Sequence, residues 1–212
     1  IRSLARPRHE TAKNVRQVRR GSGSGAAWAP QPRERMTWWY ALTLFASAAL
    51  MFAIQPLAGR TVLPALGGTA AVWAACLLFF QTMLLAGYAW AHLVAARWPP
   101  ARQRAAHLLL LLAGAAWLPP DVGGAGAAEL ATSRWPAAAL FLHLLAQLGL
   151  PVLALAATAP LLQRWYSQTD RADAADPYFL YAASNAGSLL ALLAYPFLIE
   201  PRLGLRPQRL AW

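Results

Sequence analysis

In this chain of 212 residues, 58% are hydrophobic and only 13% charged, where an ordinary water-soluble domain carries about 25% charged residues. The net charge of +11 would suit a nucleic-acid binder, but nine of the 19 Lys+Arg precede Met36 and the rest sit in short loops between apolar runs. That distribution belongs to membrane orientation and excludes a groove that tracks phosphates. With one cysteine, Cys76, placed inside an apolar run, neither an internal disulfide nor a multi-cysteine metal site can form. Cys76 reads as a small packing residue.

Residues 1–35 are basic, contain Gly21-Ser22-Gly23-Ser24-Gly25 and show no apolar periodicity. Such a segment buries too little apolar surface to fold by itself. It is expected to be a disordered cytosolic extension, or sequence upstream of a start at Met36. A basic tail for anionic headgroups or RNA is the competing reading. The apolar run that follows is too long for a secretory signal peptide.

Five apolar stretches come next, at about 38–58, 70–95, 105–118, 137–162 and 178–199. A bilayer core of about 30 Å needs about 20 apolar residues per helix. Irregular backbone cannot face hydrocarbon, so the expected fold class is all-α, a polytopic transmembrane helix bundle of about five spans over 36–202. The third stretch is the weak one: about 14 uncharged residues separate Arg104 from Pro119-Pro120, against the usual lower limit of about 17. Residues 203–212 read as a short tail, truncated before any sixth span.

Loop charge sets the orientation. The amino-terminal side is basic, the loop near Arg60 poor, Arg97–Arg104 rich, Pro119–Pro136 poor, and Arg164 with Arg171 rich again. This alternation places the amino terminus in the cytoplasm. Arg202, Arg206 and Arg209 then fall on the poor side, against the rule. Trp38, Trp39, Tyr40, Trp98, Trp117, Trp135 and Trp165 lie at span ends, where indole and phenol rings favour the headgroup layer.

Intramembrane charges are the usual mark of a membrane site. None of the five interiors contains Asp, Glu, Lys or Arg. The neutral candidates are Gln55, Gln81, His92, His143, Gln147, Thr158, Ser184 and Asn185. His143 and Gln147, four residues apart, share a helix face; they could form a proton relay, but interhelical hydrogen bonding is the preferred reading. Pro56, Pro151, Pro160 and Pro196 should kink their helices. Ala183 and Gly187 form a small-xxx-small pair through which another helix can approach, with Asn185 placed to bond across the contact. The candidate packing or polar site is therefore Gln55, Gln81, His143, Gln147, Ala183, Asn185 and Gly187. No catalytic, cofactor-binding or metal-binding residue is expected, and the expected partners are the lipid bilayer and other transmembrane helices, without nucleic acid.

Three groups of motifs occur together: Met51–Arg60 with Leu66-Gly67-Gly68-Thr69, Ala71-Val72-Trp73, Leu77–Thr82 and Gly87–His92; Thr158–Trp165; and Asp176–Asn185 with Gly187-Ser188. In this order they resemble the membrane region of bacterial proteins that join a major-facilitator-like bundle to a spermidine-synthase-like domain. The resemblance covers about Met36 to Arg202. It implies residence in the bacterial inner membrane and, in complete members, a Rossmann-like aminopropyltransferase domain. The strand, glycine-rich turn and acidic residue of such a domain are missing from this sequence, since Gly123-Gly124-Ala125-Gly126 follows prolines rather than a strand. The chain is thus expected to be a non-enzymatic membrane module, an anchor or a transport region, and a fragment of the larger protein. The alternatives are a permease fragment of another substrate and a purely structural membrane protein.

Overall fold

The computed structural model describes residues 32–123, 125–171, 174 and 177–212. The reading of 1–35 as disordered lies, up to residue 31, outside them. In chain order the elements are α1 (Pro32–Leu66), α2 (Ala70–Arg97), α3 (Pro100–Ala116), the short α4 (Ala125–Leu130), α5 (Pro136–Ser167), α6 (Tyr178–Ala194), which continues as one π-helical turn (Tyr195–Ile199), and α7 (Leu205–Ala211). No strand occurs among the described residues. The fold is an all-α bundle, and Met36–Trp212 forms one compact unit.

Four segments are long and apolar enough to cross a bilayer: Thr37–Leu66, Ala70–Arg97, Pro136–Ser167 and Tyr178–Ile199. Large apolar side chains cover their outer surfaces; Leu85 is 71% and Phe197 71% exposed. In water that surface would be untenable, and in hydrocarbon it is ordinary. The chain is an integral membrane protein.

Local chemistry sets the helix ends. The Thr69 hydroxyl caps α2 by accepting from the Val72 N–H at 3.4 Å. Pro99-Pro100 ends α2 and starts α3, because a proline at the first helical position loses no hydrogen bond. The helix therefore begins at Pro100, earlier than the apolar run suggests, and carries Arg102 and Arg104 in its first turns.

Two end layers show how the helices run. In the first, Tyr40 of α1 stacks edge-on against Tyr166 of α5 at 5.3 Å between centroids, and Tyr166 likewise against Phe179 of α6 at 5.3 Å. In the same layer the Arg164 guanidinium reaches the Ala95 carbonyl of α2, and Trp165 bonds Gln103 of α3. In the second layer Arg60 of α1 pairs with Glu200 after α6 at 2.6 Å, and Asp121 after α3 pairs with Arg209 at 2.7 Å. Trp73 of α2 there lies over Gly59 of α1. The twenty residues from Tyr40 to Arg60 rise about 30 Å at about 1.5 Å each, which matches the hydrocarbon thickness. All five predicted segments thus run between the same two layers in alternating directions. The third, with 17 helical residues, does so with help from the loop that carries Asp121.

Glycines permit the tightest contacts. At Gly87 of α2 a methyl group would overlap Ala156 and lie 2.9 Å from the Ala157 nitrogen of α5. At Gly187 of α6 it would overlap the Phe45 carbonyl of α1. At Gly114 of α3 it would stand 3.1 Å from the Pro151 Cα of α5. The core between α1, α2 and α5 is filled by Ile54, Phe79, Leu140, Leu144, Leu148 and Val152, all at most 1% exposed.

The tail over 203–212 is folded rather than extended. α7 turns back on the bundle, where Gln208 is buried and accepts from the Tyr195 hydroxyl at 2.9 Å. The Trp212 indole donates to the Leu50 carbonyl at 2.8 Å.

Candidate functional site: polar clusters inside the bundle

The sequence-predicted residues do not converge. Gln55 is half-buried on α1 and Gln81 is exposed on α2. Neither side chain makes a hydrogen bond among the described residues. His92 is likewise exposed at the end of α2. Gly187 is buried against α1 and Ala183 is half-buried beside it, so the small-residue contact exists and its partner is α1. Asn185, by contrast, is exposed on the opposite face of α6, since two residues are about 200° apart on a helix. It does not bond across the α1 contact. Ser188 instead uses the Asn185 carbonyl, at 2.9 Å.

His143 and Gln147 do act as a pair. His143 Nε2 lies 2.9 Å from the Val122 carbonyl, and the Gln147 side-chain oxygen accepts from the Asp121 N–H at 3.1 Å. Their one-turn spacing on α5 thus meets two consecutive backbone groups of the loop after α3. The Trp117 indole adds a third tie, to the Ala146 carbonyl at 2.9 Å. This is the hydrogen-bonding reading, directed at a loop rather than at another helix. The His143 ring donates to that carbonyl, so its Nε2 carries the proton.

A second cluster, built on α3 and α5, went unnoticed in the sequence except for Thr158 and the span-end Trp165. The Gln103 amide donates to the Trp98 carbonyl at 2.8 Å and accepts from the Trp165 indole at 2.9 Å, and its side chain is buried. One turn further along α3, buried His107 meets the Thr158 hydroxyl at 3.2 Å. That hydroxyl gives its own proton to the Ala154 carbonyl at 2.8 Å. It must therefore accept from His107, which assigns the ring proton to Nε2. His107 Nδ1 is buried and has no partner among the described residues. The ring edge faces Trp165 at 6.0 Å. Both polar residues were hidden by position: Gln103 sits between Arg102 and Arg104 and read as loop, and His107 opens the weakest apolar run.

These clusters tie elements together; they do not gather reactive groups. Among the described residues no three His, Cys, Asp or Glu side chains stand close enough to hold a metal ion. The cavity between α1, α3 and α5, about 140 Å³, is lined by Leu50, Gly114, Pro151, Ala154, Leu155 and Trp212 among others, with no titratable side chain. Near the second end layer lie the ion pairs Arg60–Glu200 and Asp121–Arg209, partly exposed. They neutralise two of the arginines on the arginine-poor side, while Arg202 turns back to the Phe197 and Leu198 carbonyls at 3.2 Å each.

Comparison with protein families, characterised proteins and solved structures finds no match to this chain.

Proposed function

We propose that this chain is the membrane-embedded module of a spermidine-synthase-like protein with a major-facilitator-type bundle, lying in the bacterial inner membrane with its amino terminus in the cytoplasm and serving as an anchor. One observation carries the reading. Four residues of the resembling motifs stand where helices meet: Gly59 under Trp73, Gly87 on Ala156, Thr158 with His107, and Gly187 on Phe45. A motif set that resembles a family for structural reasons should fall at such contacts, because these positions constrain helix approach most tightly.

The apolar interior favours an anchor over a polyamine permease. A polycation leaving water needs carboxylates or many carbonyls to replace its hydration, and the spans hold no acid between Trp38 and Leu57 or between Ala71 and Ala96. The test reconstitutes the purified chain in vesicles and follows labelled spermidine. The anchor reading expects membrane retention through carbonate extraction and no uptake above protein-free vesicles. Uptake would replace the anchor by a permease, and release by carbonate would end the membrane-module reading.

A further inference from the structure

α2 and α5 run in the same direction, since each starts in the layer of Trp73 and ends in that of Trp165. Their backbones touch at Gly87 and Ala156, a little past the middle of each helix. Toward the starts of the two helices the facing residues are mainly alanine. The result is an apolar groove of about 650 Å³, with Ala71, Ala74 and Leu78 on one wall and Ala137, Ala138 and Leu142 on the other. Half-buried Phe141 and buried Ala75 form its floor.

A cation and an aromatic ring immediately precede the α5 wall of the groove. Trp135, immediately before α5, is 68% exposed, as expected of a ring at headgroup level. Arg134 immediately precedes α5, and its guanidinium stands 6.0 Å over the Trp135 ring. Arg134 forms no ion pair among the described residues, whereas Arg60 and Arg209 in the same end layer are paired. A cation without an ion pair among the described residues, three residues before the methyl-lined wall that starts at Ala137, is complementary to one kind of molecule, an anion that carries a hydrocarbon chain.

We propose that the α2/α5 groove is a binding site for an anionic phospholipid, with an acyl chain along the alanines and the headgroup phosphate at Arg134. The proposal needs only that the bundle spans a bilayer, and it stands whether the module is an anchor or a permease.

The test uses the full chain in mild detergent and counts retained lipid by native mass spectrometry, with phosphatidylglycerol and phosphatidylcholine of identical acyl chains. One cation near an anionic headgroup should favour phosphatidylglycerol about fivefold. Arg134→Gln should abolish that preference and leave phosphatidylcholine retention unchanged, and Arg134→Lys should keep it. Ala138→Phe, which fills the slot, should lower retention of both lipids, and Ala74→Phe repeats the test from the other wall should the first variant fail to fold. Equal retention of the two lipids by the unmodified chain would overturn the proposal, as would a preference that survives Arg134→Gln or retention that survives filling the groove.

Discussion

Gly187 of α6 packs its α-carbon directly beneath the Phe45 carbonyl of α1, so close that any side chain at this position would overlap that oxygen. The contact is backbone against backbone, and no rotamer change can relieve it. It fixes where α6 crosses α1 and places Leu190, 54% exposed, in lipid.

Gly187→Leu should therefore lower thermal stability in detergent by about 3 kcal/mol, the upper end of the usual overpacking cost. Leu190→Phe should be close to neutral. Asn185→Leu should also be neutral, because the amide faces away from α1 and has no partner there. Equal melting temperatures for Gly187→Leu and Leu190→Phe would remove the contact from the structure.

Gly87 poses the same test between α2 and α5. Gly87→Val should separate the helices and destabilise the chain more than Ala89→Val, whose position on α2 is exposed. The comparison controls for the β-branched side chain, and thermal melting of both variants reads it out.

His143→Ala and Gln147→Ala should each loosen the loop around Asp121 and Val122. Hydrogen bonds within membranes average about 0.6 kcal/mol and reach about 1.7, so the global melting temperature should move little. Limited proteolysis near Val122 should accelerate, most in the double variant. Unchanged cleavage would show that the two side chains do not hold the loop.

Thr158→Val removes the acceptor of His107 Nε2 and leaves a buried donor unpaired. It should cost about 1–2 kcal/mol in His107-containing protein. In a His107→Leu background the same change should cost less, since no donor is left stranded. A double-mutant cycle with coupling near zero would mean that the 3.2 Å contact carries no energy.

Much of the bundle could be read from hydropathy because a bilayer imposes a length on every crossing. The first, second, fourth and fifth runs are long, uncharged and hence visible. The third was hard to read for a physical reason: it begins with Arg102 and Arg104 at the membrane edge and leaves part of the thickness to the loop ending at Asp121. α7 was unreadable, because its docking depends on Gln208 meeting Tyr195 and Trp212 meeting Leu50, residues that no local pattern connects. The one-turn spacing of His143 and Gln147 did signal a shared role, but not that the partner is a loop. The small residues of α6 signalled a contact, yet the 100° step per residue was needed to see that Gly187 lies within it and Asn185 outside.

The alternating path of five helices between two end layers is tested most directly by topology reporters fused after Val122 and after Ser167. The two positions are separated by α5 and lie in opposite layers, so the fusions should report opposite sides of the membrane, with Ser167 cytoplasmic in the orientation proposed above. Both reporters on the same side would mean that α5 does not cross, and opposite sides with Val122 cytoplasmic and Ser167 outside would mean that α3 does not; either would contradict the arrangement described here.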